Sequence, residues 1–313
     1  MGGTRGRNRG ARGVRRILAD AAPVESGSPA AMTRASALIS LHVAVALFGF
    51  AALFGRWVTL SPVAIVLART VVAATTLAIV LAAQRAAPSP RPASGLALNG
   101  ALLAVHWVTF FAAVQLAGVA IALLAFASFP VFVLALESVE RRRRPDRVEA
   151  GAIVLVVAGL ALLVPEFRWT SSVVQGHACG VVAGLTFAIL TLRSRRAVGH
   201  YGAVALALWQ NAFAALWLVP FALAGAALVV PSARDVALLV TLGVACTALA
   251  HTLFIASMRR VSAHTASVVS LLEPVYGIAL AVALQGERPD LRTLAGMLLV
   301  LAAALLATRH AAR

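Results

Sequence analysis

The sequence predicts an all-α integral membrane protein with ten transmembrane helices in two inverted five-helix repeats and both termini cytoplasmic. Three observations lead there. Hydrophobic residues fill 61% of the 313 positions and charged residues 12%, with a mean hydropathy of +0.92, well beyond globular usage. Charge-free stretches of span length recur along the chain, one of them running from Pro92 to Leu136. The tripeptide Arg-Pro-Asp stands at 144–146 and again at 288–290, each time followed by a short polar stretch and Ala-Gly.

A hydrocarbon core about 30 Å thick takes roughly 20 apolar residues per helical span. Charge and turn signals divide the chain into ten: 36–56, 62–84, 95–115, 118–137, 148–165, 174–193, 201–225, 235–257, 262–285 and 291–308. Helices are expected because lipid offers the backbone no hydrogen-bond partner, and the ten-residue alternation of barrel strands is not visible. Before the first span lies an Arg/Gly-rich tail, 1–34, which cannot bury a core and reads as disordered. Met32 is an alternative start. Cys179 and Cys246 fall within spans and read as small apolar residues, supporting neither a disulfide frame nor a CxxC site.

Orientation follows from charge. All 27 basic residues are arginine, and the net charge of +16 raises the question of nucleic acid. Their distribution answers it. Arginines 85, 91, 141 to 144, 147, 193, 195, 196, 259, 260, 309 and 313 fall on one set of connections, fourteen in all, against five (56, 168, 234, 288 and 292) on the other. By the positive-inside rule the richer set is cytoplasmic. Anionic membrane lipid, not nucleic acid, is then the expected partner of these loops.

The repeat gives the architecture. A shift of 144 lays Phe110 on Phe254, Pro130 on Pro274, Phe132 on Tyr276 and Arg-Pro-Asp on itself; a shift of 135 lays His42 on His177 and Gly49 on Gly184. The halves are 35–165 and 166–313. Five spans is an odd number, so the second half enters the membrane upside down, and the two Arg-Pro-Asp loops fall on opposite faces. Arginines crowd the loop where they fix topology and are sparse in its twin. Such repeats build secondary transporters, with the substrate site at the midplane between the halves.

The segments "HWVTFFAAVQLAGVAIALLAFASFPVFVLALE" (106–137), "LLEPVYGIALAVALQGERPDLRTLAGMLLVLAAALLA" (271–307) and "LFGFAALFGRWVTLSPVAIVLART" (47–70) resemble the two EamA repeats of the drug/metabolite transporter superfamily. The resemblance covers nearly everything from Leu38 to Thr308. It implies a ten-helix inverted-repeat fold and export of amino acids, drugs or other small metabolites. The family's Leu-Glu-Pro and Gly-Glu match Leu272-Glu273-Pro274 and Gly286-Glu287. The first half departs from it: Leu136-Glu137 is followed by Ser138, and the later acid is displaced to Glu140.

Candidate substrate-binding residues are polar or aromatic groups that are costly in lipid. Glu273 lies near the middle of span nine, where a charge costs about 2.5–3.5 kcal/mol on insertion scales and therefore usually faces a cavity. A structural ion pair or a protonated carboxyl is the rival reading. Pro274 removes a backbone hydrogen bond beside it and, with Pro130, is a candidate hinge. Arg69, two turns into span two, binds a carboxylate, pairs with Glu273 or snorkels outward. Gln210 and Asn211 are substrate contacts or interhelical glue. His106, Trp107 and Phe110 in span three, with His251 and Phe254 in span eight, form a cavity wall or an interface belt. Tyr276, the match of Phe132, completes the set. His42 and His177 read as packed residues, and Glu137 as reaching solvent or Arg141.

No HExxH, nucleophile elbow or P-loop occurs, so no cofactor or metal is expected and the driving force is an ion gradient or the solute's own. The expected partner is a small-molecule metabolite, and a homodimer is one open arrangement. A membrane-embedded enzyme acting on a lipid or lipid-linked substrate is the alternative, and it calls for acidic or histidine residues gathered at one face. Here the costly charges sit mid-span.

Overall fold

The computed structural model describes residues 32–84, 94–142, 144, 146–163, 168–225 and 230–311. The chain divides into residues 1–33 and 34–313, and the architecture is that of the second unit. Most of the Arg/Gly-rich tail, together with Arg85, Arg91, Arg143, Pro145 and Arg313, lies outside the described residues.

Among the described residues ten helical rods follow one another and no strand occurs. The first half comprises α1 (Arg34–Trp57), α2 (Pro62–Ala83), α3 (Ser94–Ala117), a fourth rod split into α4 (Val119–Phe126) and α5 (Phe129–Glu140), and α6 (Arg147–Leu162). The second comprises α7 (Ser172–Tyr201), α8 (Ala203–Ala224) and an eighth rod of α9 (Ala233–Gly243), a π-helical turn (Val244–Leu249) and α10 (Ala250–Ser257). A ninth rod, split into α11 (Ala263–Val269) and α12 (Leu272–Gln285), and α13 (Leu291–Ala311) complete it. Among the described residues, eight rods are long and apolar enough to cross a membrane, and the fifth and tenth carry shorter apolar runs, 150–162 and 291–303.

Expected spans four and nine hold as membrane-length rods, Val119–Glu140 and Ala263–Gln285, each interrupted within its length. Rods four and nine, read as single spans, each break next to the matched prolines: Pro130 is the second residue of α5 and Pro274 the third of α12. A proline near a helix N-terminus lacks only an N–H that had no intrahelical partner there. Gly118, at φ 87°, makes the whole joint between α3 and α4. The longest helix, α7, spans about 45 Å at 1.5 Å per residue, which carries Arg193, Arg195 and Arg196 past a hydrocarbon core.

The repeated Arg-Pro-Asp also acquires a local cause. Asp146 Oδ1 accepts from Val148 N at 2.8 Å and Asp290 Oδ1 from Thr293 N at 2.7 Å; their carbonyls accept from Ala150 N and Leu294 N. Each aspartate is thus the N-cap of its half's last helix, and its bonds to Thr293 hold the Asp290 carboxyl below the usual range.

Packing is symmetric under exchange of the halves. α2 packs on α8 and α6 on α13, pairing the second and fifth rods of each half. α1 packs on α12 as α7 packs on α4 and α5, and α1 meets α10 as α7 meets α3. Glycines permit these approaches, as small residues do between helices in lipid. A Cβ on Gly49 would lie 2.9 Å from the Glu273 carbonyl oxygen, and one on matched Gly184 would lie 3.1 Å from that of Phe126. Both breaks are therefore held against a glycine of the other half.

Polar side chains close the two ends of the bundle differently. At one end Glu287 crosses to the first half, where its carboxylate accepts from Val119 N (2.9 Å) and Ala120 N (3.2 Å) at the start of α4. Asp235 accepts there from Thr59 N and Oγ1 (3.2 and 2.9 Å), and Gln285 Nε2 donates to the Leu53 carbonyl (3.0 Å). At the other end α7 supplies arginines. Arg193 donates to Asn99 Oδ1 and the Gly95 carbonyl, Arg195 to the carbonyls of Met258 and Val261, and Arg196 pairs with Glu140.

Candidate functional site: a closed cavity between the halves

Arg69 is set by a defect in the helix opposite it. In the π turn of rod eight the Thr247 hydroxyl donates to the Leu242 carbonyl, five residues back, at 2.7 Å, and accepts from Arg69 Nε at 2.9 Å. A second guanidinium nitrogen donates to the Cys246 carbonyl at 3.3 Å. The guanidinium carbon lies 4.0 Å from the Trp107 ring centroid and 5.3 Å from that of Phe111, within cation–π range. π turns recur at functional sites because they redirect backbone groups, and here the turn supplies two acceptors to a charge only 2% exposed. Of the five donors on a guanidinium, those not spent on Thr247 and Cys246 remain for a ligand.

Glu273 enters from the other half, in the first turn of α12 just past the break in rod nine, and is 4% exposed. Its carboxylate makes no hydrogen bond or ion pair within 4.0 Å among the described residues, Arg69 included. A guanidinium and a carboxyl group from opposite halves therefore face one cavity without touching each other. A helix N-terminus also favours the anionic side chain.

The histidines complete the polar lining. His106 Nδ1 lies 2.9 Å from the Ala183 carbonyl, which only accepts, so that nitrogen carries the proton and Nε2 is the acceptor. Its ring stacks on Phe187 at 4.6 Å between centroids. His251 Nε2 lies 2.9 Å from Gln210 Oε1, and Gln210 Nε2 in turn donates to Ser194 Oγ at 2.8 Å. His251 Nδ1 is buried with no partner. A lone acceptor at a cavity wall can take a hydrogen bond from a ligand.

Arg69, His106, Trp107, Phe110, His251 and Glu273 line this one cavity together with Phe48, Ala51, Phe126 and Phe187. The space open to a water centre is about 20 Å³, hardly more than one water. Beneath it Phe187 packs on Phe254 at 5.3 Å and on Phe129 at 5.0 Å, and Phe126 stacks on Phe129 at 5.8 Å.

Four expected site residues lie off the lining. Gln210 sits behind His251 and orients it. Asn211 is fully buried, with Nδ2 donating 2.8 Å to the Ala207 carbonyl of its own helix. Phe254 belongs to the aromatic layer under the cavity. Tyr276 is 36% exposed, with its Cβ beside Gly49 where α1 meets α12. In compensation the cavity takes in Phe48, Ala51, Phe126, Phe187 and the Thr247 support of Arg69, none of them anticipated. Phe48 adjoins Gly49 and Phe187 follows Gly184 by one turn, so the matched glycines were the available signal. Nothing in the sequence marks the π turn.

The profile of the EamA-like transporter family matches the chain twice, over residues 35–164 and 174–309. An uncharacterized transporter, YxxF, of Bacillus subtilis is 26% identical over 207 residues, which is 65% of this chain and 66% of that protein. An uncharacterized inner membrane transporter, YicL, of Salmonella typhimurium is 27% identical over 204 residues, 64% of this chain and 67% of the relative. The chain thus aligns with about two thirds of the length of these curated relatives. A solved crystal structure shares the fold at a TM-score of 0.69 and 20% identity, over 90% of this chain and 99% of its own. With eight membrane-length apolar helices among the described residues and two matches to one family profile that together cover most of its length, the chain is a multi-pass membrane protein that belongs to the EamA-like transporter family.

Proposed function

We infer that the protein is a secondary transporter of the inner (plasma) membrane that exports amino acids or other small metabolites by alternating access. All ten rods cross the bilayer, the halves are inverted, and both termini are cytoplasmic, the end bearing Arg193, Arg195 and Arg196 facing the cytoplasm as the charge bias requires. The observation that carries the reading is a nearly closed cavity at the seam of the halves, charged by Arg69 from one and Glu273 from the other. A metabolite cannot enter some 20 Å³ of open space, so binding requires the halves to part. Broken rods four and nine, each next to the cavity, supply places for that movement.

The cavity's chemistry supports a solute with polar groups at one end and an apolar body. Arg69 and Glu273 hold the charges, the free nitrogens of His106 and His251 accept, and Phe48, Phe110, Phe126 and Phe187 cover the rest. Export of a metabolite mixture loaded into proteoliposomes tests this. Wild type is expected to give saturable counterflow of at least one solute, and Glu273→Gln to abolish it or change its pH dependence. Unchanged counterflow and pH dependence in Glu273→Gln, for every solute carried, would remove the carboxylate from the mechanism.

A further inference from the structure

A second concavity lies at the arginine-bearing end of the bundle. It has a volume of about 530 Å³ and is lined by Arg141, Arg195, Arg196 and Arg259 against Glu137 and Glu140. Arg196 is paired with Glu140, and Arg195 is tied to the carbonyls of Met258 and Val261. The side chains of Arg141 and Arg259 have no partner among the described residues, and both are exposed. Four cations thus face two anions, and two of the cations are unspent.

This crevice shares three rods with the closed cavity. On α7 the cavity is lined by Phe187 and the crevice by Leu192, Arg195 and Arg196; rod eight lines the cavity with His251, and Met258 and Arg259, in the turn just past its end, line the crevice. Rod four contributes Phe126 to the cavity and Glu137 and Glu140 to the crevice. The offsets on α7 and rod eight correspond to about 7–14 Å along a helix axis at 1.5 Å per residue. The layer of Phe129, Phe187 and Phe254 fills the interval.

We propose that the crevice is a second, anion-binding site on the transport path, which receives a small solute bearing a carboxylate or phosphate before the phenylalanine layer opens to Arg69. The assignment deepens the transporter reading and rests on it, since a path is needed for the crevice to lie on one. An anion entering here meets Arg141 and Arg259 with their donors free, and the next unspent guanidinium donors on the axis are those of Arg69. Positive potential in a concavity raises the local concentration of anions, and a charge-assisted bond to a guanidinium fixes them. The ligand chemistry is a compact oxyanion; a phospholipid headgroup offers the same group, and the test separates the two.

The full-length protein in neutral detergent is equilibrated by dialysis with radiolabelled orthophosphate at fixed ionic strength. Wild type is expected to retain it saturably. The double substitution Arg141→Ala with Arg259→Ala is expected to weaken retention by about tenfold or more, the effect of losing charged hydrogen bonds. Arg56→Ala, at the opposite end of α1, is expected to leave retention unchanged. The double substitution Arg141→Gln with Arg259→Gln, checked for an unaltered unfolding temperature, guards against loss through misfolding. Equal retention in all variants, or none in wild type, would overturn the proposal. So would retention that survives in phosphatidylcholine nanodiscs but disappears when phosphatidylglycerol is added, because the site would then belong to lipid. Retention is measured without transport, so a failure of counterflow sinks the transporter reading on its own, and a failure of retention sinks only the crevice.

Discussion

Glu287→Ala removes a carboxylate that caps a helix of the other half. Two backbone N–H groups at the start of α4, those of Val119 and Ala120, lose their acceptor at 2.9 and 3.2 Å. Loss of a side-chain cap costs about 1 kcal/mol, within 0.5–2, and loss of the negative charge at the positive end of the helix dipole adds about 0.3–1 kcal/mol. A total of about 0.8–3 kcal/mol corresponds to a fall in unfolding temperature of roughly 2–12 °C. The matched control is Glu140→Ala. That acid, displaced in the first half, caps no helix: Ser262 Oγ accepts from Thr265 N and so does the equivalent work on α11. Its ion pair with Arg196 is 53% exposed on the glutamate side, and such surface pairs contribute about 0–1 kcal/mol. Unfolding of both variants in one detergent, followed by intrinsic tryptophan fluorescence, checks the difference. Glu287→Gln, which keeps one acceptor and loses the charge, is expected to fall between wild type and Glu287→Ala. Equal falls for Glu287→Ala and Glu140→Ala, or none for Glu287→Ala, would refute the cross-half cap.

The cavity and the packing give further expectations. Thr247→Val keeps the shape of the π turn but deprives Arg69 Nε of its acceptor, at a cost of about 1.5–3 kcal/mol for a charged hydrogen bond; the apparent affinity in counterflow should weaken tenfold or more in consequence. Arg69→Lys should abolish counterflow while the protein inserts normally, because an ammonium cannot reach Thr247, Cys246 and the Trp107 face at once. Gly49→Ala forces a methyl against the Glu273 carbonyl and the Gly277 nitrogen and should destabilise by about 1–3 kcal/mol. Gly199→Ala meets nothing within 4 Å and should be neutral or stabilising in the same unfolding assay.

Much of this molecule is legible in its sequence because lipid leaves few options. Rod positions, the glycine and proline matches and the two costly charges all follow from the price of polar groups in hydrocarbon. Arg69 and Glu273 come from opposite halves yet share a cavity, as their burial requires. What escapes is geometry finer than one turn. Whether Tyr276 or Phe48 faces the cavity depends on helix rotation, and a nearly uniform apolar surface encodes no rotation in its periodicity. The π turn escapes for a related reason: Val244 to Leu249 reads as ordinary helix, and only the demand of Arg69 for acceptors makes its extra residue useful. Glu287 was visible as a motif, but its partner across the halves was not, because a capping bond between residues 168 apart leaves no local pattern.

Inversion of the halves about the shared cavity is the central claim, and the two Arg-Pro-Asp loops test it most directly. Single cysteines replacing Arg144 and Arg288, in a background where Cys179 and Cys246 are alanine, are labelled with a membrane-impermeant maleimide on intact and then on permeabilised cells. The account predicts that position 288 reacts on intact cells and position 144 only after permeabilisation. Reaction of both positions under the same condition would place the loops on one face of the membrane and contradict it.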